Sequence, residues 1–305
     1  MTEFEFLLED RIAKIQAINK QYDLEHNAYI SFSGGKDSTV LHYLIDLALP
    51  NNKIPRVFIN TGIEYLYIVK FVKELTSKDD RFILVPPTQP IKKVLETYGY
   101  PFKSKEHSLK ISEYKKGSRA NYILKYKNNA GGNFACPLSL LYQYEEDFKL
   151  NISNKCCYKL KKEPAAKWAK ENNKTILLTG MRKEEGGQRI NISGCVLTDN
   201  KGRLNKFHPL LVVSDGWEDW FINKFNIELC KLYYPPFNFK RTGCKGCPFN
   251  INLQKDLDTM EQLLPNERKQ CENIWKPVYD EYRRIGYRLK KHERNLFNYQ
   301  EEDVC

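Results

Sequence analysis

Two stretches of the chain bring together residue types that do chemistry. The first is SFSGGKDSTV, residues 31–40, where two glycines and a lysine follow a short apolar run and precede a helix-like stretch. The amides at the start of a helix have no intrahelical acceptor, so a glycine turn that opens a helix presents bare N–H groups to an anion. The second is a set of cysteines, Cys156 and Cys157 in KCCYKLKKEP and Cys244 and Cys247 in RTGCKGCPF. Thiolates are the usual ligands of iron–sulfur clusters, and four of them satisfy a [4Fe–4S] cube. A tetrahedral zinc site and buried inert thiols are the alternatives that this spacing leaves open.

The glycine turn matches neither of two familiar phosphate loops. A Walker A loop would need glycine where Ile30 stands and Ser or Thr where Asp37 stands, and the dinucleotide fingerprint G-x-G-x-x-G is absent. The pattern that remains, Ser-Gly-Gly-x-Asp-Ser, resembles the pyrophosphate loop of the adenine-nucleotide alpha-hydrolase superfamily. It is matched by Ser33, Gly34, Gly35, Asp37 and Ser38, with Lys36 adding a cation at the variable place. The resemblance implies an adenine nucleotide (ATP, adenylyl sulfate or phosphoadenylyl sulfate) with its phosphates or sulfate on the loop, and Mg2+ as an optional companion.

The cysteines narrow the resemblance. Tandem cysteines followed by a basic run and Glu-Pro, with C-x-x-C later in the chain, are similar to the cluster-binding pattern of assimilatory adenylyl-sulfate reductases, members of the phosphoadenosine-phosphosulfate (PAPS) reductase family. That implies a [4Fe–4S] cluster on Cys156, Cys157, Cys244 and Cys247, with Lys161 beside cluster and substrate as a catalytic cation. NTGIEY resembles the family's second nucleotide segment through Thr61 and Gly62. TGMRKEEGGQR resembles its arginine segment, which implies that Arg182 and Arg189 contact nucleotide or sulfate. FHPLLVVSDGWEDWF resembles the Trp-containing segment that follows. The implied reaction is reduction of adenylyl sulfate or phosphoadenylyl sulfate to sulfite, with a thiol reductant such as thioredoxin.

One departure bears on that reaction. The reductases end in a tail Glu-Cys-Gly-Ile/Leu-His whose cysteine attacks the sulfate sulfur, whereas this chain ends YQEEDVC. Cys305 is a terminal thiol with no following Gly or His, either the catalytic cysteine or part of an unstructured terminus, and neighbouring Glu301, Glu302, Asp303 and the α-carboxylate disfavour its thiolate. The superfamily also includes ATP-dependent sulfurtransferases, which act through an adenylated intermediate on a nucleic acid or a small molecule. Nucleic acid is therefore a second candidate partner. Residues 101–129 hold eight Lys or Arg against two Glu, with Tyr114, Tyr122 and Tyr126 interleaved. Charge with stacking rings is how single strands are held, and a solvated basic surface is the plain alternative. The basic run 282–297 has the same two readings.

Positioning these groups calls for an α/β fold. AYISF (28–32), RVFIN (56–60), FILVP (82–86), KTILLTG (174–180) and HPLLVVS (208–214) read as strands separated by helical stretches, the pattern of a doubly wound parallel sheet. Residues 1–233 are expected to form this nucleotide-binding domain, with a basic insertion over the sheet at about residues 100–150 where the alternation lapses. Residues 234–305 are expected to form a cysteine loop and a mainly helical end. No window approaches the roughly 20 apolar residues of a membrane helix, and the acidic, amphipathic N-terminus is unlike a signal peptide, so a cytoplasmic protein is expected. The net charge of +11 arises from 36 Lys and 13 Arg, a skew that AT-rich coding also produces. Nine cysteines without an export signal argue against a disulfide framework. Cys136, Cys195, Cys230 and Cys271 read as small buried hydrophobes, and the five histidines show no metal spacing.

Overall fold

The computed structural model describes residues 1–291; Cys305 and His292 lie outside the described residues. In chain order the elements are α1 (Glu3–Tyr22), α2 (Leu24–Asn27), β1 (Ala28–Ser31), α3 (Lys36–Ala48), β2 (Arg56–Ile59), α4 (Leu66–Lys78), β3 (Phe82–Val85) and α5 (Ile91–Tyr98). Next come α6 (Lys105–Lys115), α7 (Asn121–Asn128), α8 (Glu163–Glu171), β4 (Ile176–Leu178), β5 (Val196–Thr198), β6 (Leu204–Phe207), α9 (Asp215–Lys224), α10 (Leu253–Leu263) and α11 (Pro265–Ile285). No described helix is long and apolar enough to cross a membrane.

The chain divides into two compact units, Met1–Lys93 with Cys157–Lys245, and Val94–Cys156 with the chain from Gly246 onward. The stretch read as an insertion and the C-terminal segment thus belong to one unit, a grouping that no local pattern announces.

The first unit holds a six-stranded sheet in the order β3-β2-β1-β4-β6-β5. Every pairing is parallel except β5 with β6. Helices cover both faces, because the strands alternate: Ala28, Ile30, Ile176 and Leu178 enter a core with α1, α3 and α9, whereas Tyr29 and Leu177 point to the other face and pack near Trp168 of α8. The predicted strands at β1 to β4 are present. HPLLVVS is not a strand; residues 208–214 are turns leading to α9, and the strand lies just before them, as β6. Its apolar side chains Leu210, Leu211 and Val213 are buried all the same, which is why the run looked strand-like. The sheet order reverses at β1, with β2 on one side and β4 on the other. That is the switch point where open α/β sheets leave a crevice.

The second unit is mainly helical, built from most of α5, α6, α7, α10 and α11. Its centre is aromatic. Phe102 meets Tyr282 edge to face at 4.5 Å, and the Tyr282 hydroxyl donates to the Pro248 carbonyl while accepting from the Lys103 amide. His107 pairs with Tyr126 Oη at 3.0 Å and Gln143 Oε1 at 2.7 Å, and burial lowers its pKa to about 4, so the ring is neutral. Cys136, Cys230 and Cys271 are buried and Cys195 half-buried.

Close approach at the crevice constrains one residue strongly. A Cβ on Gly180, just past β4, would lie 2.6 Å from the Asp37 carbonyl oxygen, a backbone atom that cannot yield without moving α3. Gly180→Ala is expected to lower stability by about 1–3 kcal/mol, the usual cost of overpacking, read as the urea midpoint. An unchanged midpoint would contradict this packing.

Candidate functional site

The glycine loop leaves the carboxyl end of β1 and enters α3. Gly34 adopts φ +70, a conformation that glycine takes without strain. A Cβ there would also press on Ile68 and Val72 of α4, at 2.9 and 3.1 Å. Gly35 is the N-cap of α3 and no side chain caps the helix, so its first-turn amides and the positive end of its dipole face the loop. Hydroxyls line the loop instead. Ser38 Oγ accepts from the Ser33 amide at 3.1 Å and lies 3.0 Å from Ser33 Oγ. The Gly35 amide donates to Ser33 Oγ, and the Lys36 amide donates to the Tyr233 hydroxyl at 3.0 Å, which also pairs with Thr242 Oγ1 at 2.7 Å. Hydroxyls can both give and accept, so these partners can be exchanged for an anion's oxygens or can donate to them.

The two arginines expected at the anion differ in setting. Arg182 is 4% exposed, donating from Nε to Asp37 at 2.8 Å and from Nη2 to Asp215 at 2.6 Å. Its guanidinium is used within the protein, where it fixes the carboxylate of the loop helix. Arg189 is half-buried and ion-paired to Glu185, which Arg241 also approaches at 3.2 Å. Lys36 turns to α9, with Nζ 3.3 Å from Asp219 and 3.4 Å from Glu218. Glu218 is fully buried, 3.1 Å from Arg182 Nη2, yet neither of its carboxylate oxygens accepts a hydrogen bond. Burial, reinforced by the Asp37 charge, pushes its pKa up to about 8 against the pull of Arg182 and Lys36.

A second pole lies at the end of β2. Thr61 is buried; its amide donates to Glu64 Oε2 at 2.9 Å and its hydroxyl to Oε1 at 2.8 Å. Gly62 takes φ +80 and faces open space. Glu64 in turn sits 3.3 Å from Lys161 Nζ. Lys161 stands on a π-helical turn, Tyr158–Lys162, that runs straight into α8. Pro164 supplies the reason: it has no N–H for the Leu160 carbonyl, and the Glu163 amide bonds back to Tyr158 instead.

The Cys244 sulfur, and after it Glu64, hold the Lys161 ammonium above the ordinary lysine range. Burial pushes the Cys244 thiol up; Lys161 opposes that push, and Glu64 and Cys157 add to it. A sulfur ionised by a bound metal would find a cation already beside it. Cys157 and Cys244 thus interact within the first unit, and their donor chemistry suits a thiolate-bound centre. Cys156 and Cys247 belong to the second unit. There Gly246 keeps φ +62 against Cys271 and Tyr279, where a Cβ would meet the Tyr279 hydroxyl at 2.5 Å. Among the described residues no group of three or more His, Cys, Asp and Glu is arranged to hold a metal ion.

Between the two poles the first unit has a cavity of about 330 Å3, lined by Ser33 of the loop, Glu64, Lys161 and Thr242, and by apolar Phe32, Phe58, Ala165 and Leu177. A mostly apolar slot with a few polar groups in its lining is what a heteroaromatic base with an anionic tail requires. Sequence reasoning did not single out Glu64, Glu218, Tyr233, Thr242 or Lys206, which also reaches this cavity. Glu64 lies inside the quoted NTGIEY and could have been taken with Thr61. The others converge only through tertiary contacts.

Residues 27–130 and 131–250 match the model of the phosphoadenosine phosphosulfate reductase domain. An uncharacterized protein of Methanocaldococcus jannaschii is 32% identical over 127 residues, 39% of this chain and 30% of that protein, so the chain spans under a third of its relative's length. Among solved structures, phosphoadenylyl-sulfate reductase from Candida auris is similar at 14% identity and TM-score 0.43, over 80% of this chain and 96% of that one. The U34-tRNA thiolase of Methanococcus maripaludis, solved with its [4Fe-4S] cluster, is similar at 15% identity and TM-score 0.40, over 90% and 80%. FMN adenylyltransferase of Candida glabrata gives 15% identity and TM-score 0.46, over 80% and 65%.

The setting of Glu218 has a consequence for stability. Its folded-state pKa of about 8 lies above the ordinary 4.5, so between those values the folded chain holds a proton that the unfolded chain has released. Stability should therefore fall as pH rises through this window. Glu218→Gln, which keeps the uncharged form, is expected to flatten that part of the profile, measured as urea midpoints at pH 5 to 9. A variant with the wild-type slope would refute the assignment.

Proposed function

We propose, from the premise that the chain belongs to the phosphoadenosine phosphosulfate reductase domain family, that it binds an adenine nucleotide in the cavity of the first unit and performs sulfur chemistry there: reduction of adenylyl sulfate or phosphoadenylyl sulfate to sulfite. The observation that carries the reading is a cavity lined both by Ser33 of the phosphate-type loop and by the Glu64–Lys161 pair.

In this reading the base lies in the apolar slot. The amides of Gly34 to Ser38 and the hydroxyls of Ser33 and Ser38 take the charged end of the nucleotide, and the α3 dipole adds to their hold. Arg182 acts through Asp37, keeping the loop helix in place, while Arg189 reaches an outer anion by exchanging its pairing with Glu185. Thr61 orients Glu64, and open, left-handed Gly62 lets the nucleotide pass close to the backbone. Lys161 faces the sulfur end and stabilises charge that grows as the S–O bond breaks. A thiolate, from Cys305 or from the reductant, attacks the sulfate sulfur; the sulfur–oxygen bond to the nucleotide breaks and AMP or its 3′-phosphate leaves. A second thiol, as in thioredoxin, then attacks the thiosulfonate, releasing sulfite and leaving a disulfide, so two electrons pass from thiols to sulfur. Cys156, Cys157, Cys244 and Cys247 are the proposed ligands of a [4Fe–4S] cluster, with Lys161 as its neighbouring cation. Bound there, the cluster would supply a negatively charged, redox-active neighbour to the substrate's sulfur.

A second reading, ATP-dependent sulfur transfer through an adenylated acceptor, uses the same loop for the pyrophosphate of ATP. It is favoured by the basic stretch of the second unit, where residues 114–144 contain no Asp or Glu.

Anaerobic turnover separates the two. Sulfite release from adenylyl or phosphoadenylyl sulfate with reduced thioredoxin supports the first, and pyrophosphate release from ATP that requires an acceptor supports the second; neither activity in iron-replete protein would overturn both. Lys161→Ala should lower kcat/KM by about 100-fold, the scale of a lost oxyanion-type contact. Cys157→Ser and Cys244→Ser should each purify with iron and sulfide largely lost, and full iron retention in either variant would remove that residue from the ligand set.

A further inference from the structure

The second unit carries a surface that the nucleotide cavity does not use. We propose that the α6–α7 hairpin and the loop after it bind single-stranded nucleic acid. This deepens the sulfur-transfer reading by naming the class of acceptor, but the test below reads binding alone.

Three observations converge on this surface. Residues 114–144 are free of acidic side chains, with Lys116, Arg119 and Lys125 exposed within them; Glu113, just before them, accepts from the Tyr122 hydroxyl and leaves the ring face exposed. Large aromatic surface is exposed alongside: Phe134 is 99% exposed and Tyr122 46%. Phe134 also sits at φ 58, which is costly for a bulky residue. The loop that carries it is not loose, because the Gly131 amide bonds the Cys136 carbonyl at 2.8 Å and the Cys136 amide bonds the Tyr126 carbonyl at 2.9 Å. A well-tied loop thus spends strain to hold an aromatic ring in water, and stacking on a ligand would give that strain a purpose.

Arg119 adds a prepared platform. Its Nη1 donates to the carbonyls of Tyr114 and Ser118, at 3.0 and 3.1 Å, and its guanidinium lies 3.9 Å from the Tyr114 ring centroid. One face of the guanidinium is backed by the ring and the residue is exposed, so a base can stack on the other face. Tyr114 is braced from another direction by Lys127, whose ammonium donates to its hydroxyl at 2.9 Å. On α7, Asn121, Tyr122, Lys125 and Asn128 are exposed at helical spacing and form one edge of amides, ring and cation. Tyr126, one of the tyrosines interleaved in the sequence, has no part in this: it is 5% exposed and bound to His107.

The aromatic exposure selects the ligand class. Lysines alone suit any polyanion, duplex included, but base faces are offered to rings only where the strand is unpaired. Amide side chains beside the rings suit base edges better than lipid or an acidic peptide.

The test is fluorescence anisotropy of the full chain with a labelled RNA strand and a labelled DNA strand, each of about 16 nucleotides, and with the corresponding duplex, between about 50 and 200 mM salt. Both single strands, or one of them, should bind more tightly than the duplex. Tyr122→Ala combined with Phe134→Ala should weaken single-strand binding by about 5-fold or more, leaving duplex binding and the salt slope unchanged. Lys116→Ala, Arg119→Ala and Lys125→Ala together should reduce the salt slope by about 2 to 3. Single strands bound no better than duplex, no binding at low salt, or an aromatic double variant indistinguishable from wild type would each overturn the proposal. Adenine-nucleotide binding, measured on the same samples, should be unaffected by these variants. Its absence from the wild type would count against the nucleotide reading and leave this one standing.

Discussion

The uncapped amino end of α3, set at the carboxyl end of β1, is the constraint on which the rest of the first unit depends. Helix-start amides must find acceptors. Many helices use a carboxylate or hydroxyl N-cap, but here the cap is Gly35, and the Gly35 and Lys36 amides donate to the hydroxyls of Ser33 and Tyr233. Those partners satisfy the loop at rest without adding negative charge. The helix dipole therefore stays available to an anion, and the hydroxyls can rotate to join in its recognition.

Placing a helix start there demands close backbone approach, and the surrounding residues follow from that demand. Gly34 takes the left-handed turn beneath α4, and Gly180 lets the end of β4 come against the first turn of α3. Arg182, which follows Gly180 closely in the chain, ties Asp37 to Asp215 across the switch point of the sheet. Arg182 meets carboxylates from both the loop helix and α9, so in this arrangement it joins the two. Glu218 is the extreme case: it is buried beside two cations, yet without a hydrogen bond the desolvation of its charge prevails.

At the far end of the cavity the order of charges is reversed. Glu64, fixed by Thr61, faces an ammonium, and that ammonium faces a buried thiol. Each group tempers its neighbour. The π turn that carries Lys161 arises from a covalent fact, the missing N–H of Pro164, so a local irregularity places the catalytic candidate.

Local chemistry was enough to make the loop legible. A strand, two glycines and a helix start follow one another within ten consecutive residues, and strands alternating with helices wrote the α/β sheet, since both patterns have short periods. The HPLLVVS run misled because burial alone makes an apolar string, whether it runs straight or turns. Several features were settled only by tertiary contact between segments far apart in the chain. These include the partners of Arg182 and Lys36, the hydrogen bond of Tyr233 to the loop, and the joining of residues 94–156 with the C-terminal helices in one unit. The sequence determined which atoms could bind an anion or a metal. The fold decided which of them are already engaged, because a charged group's role depends on what lies within a few ångströms of it, and side-chain type and spacing do not record that distance.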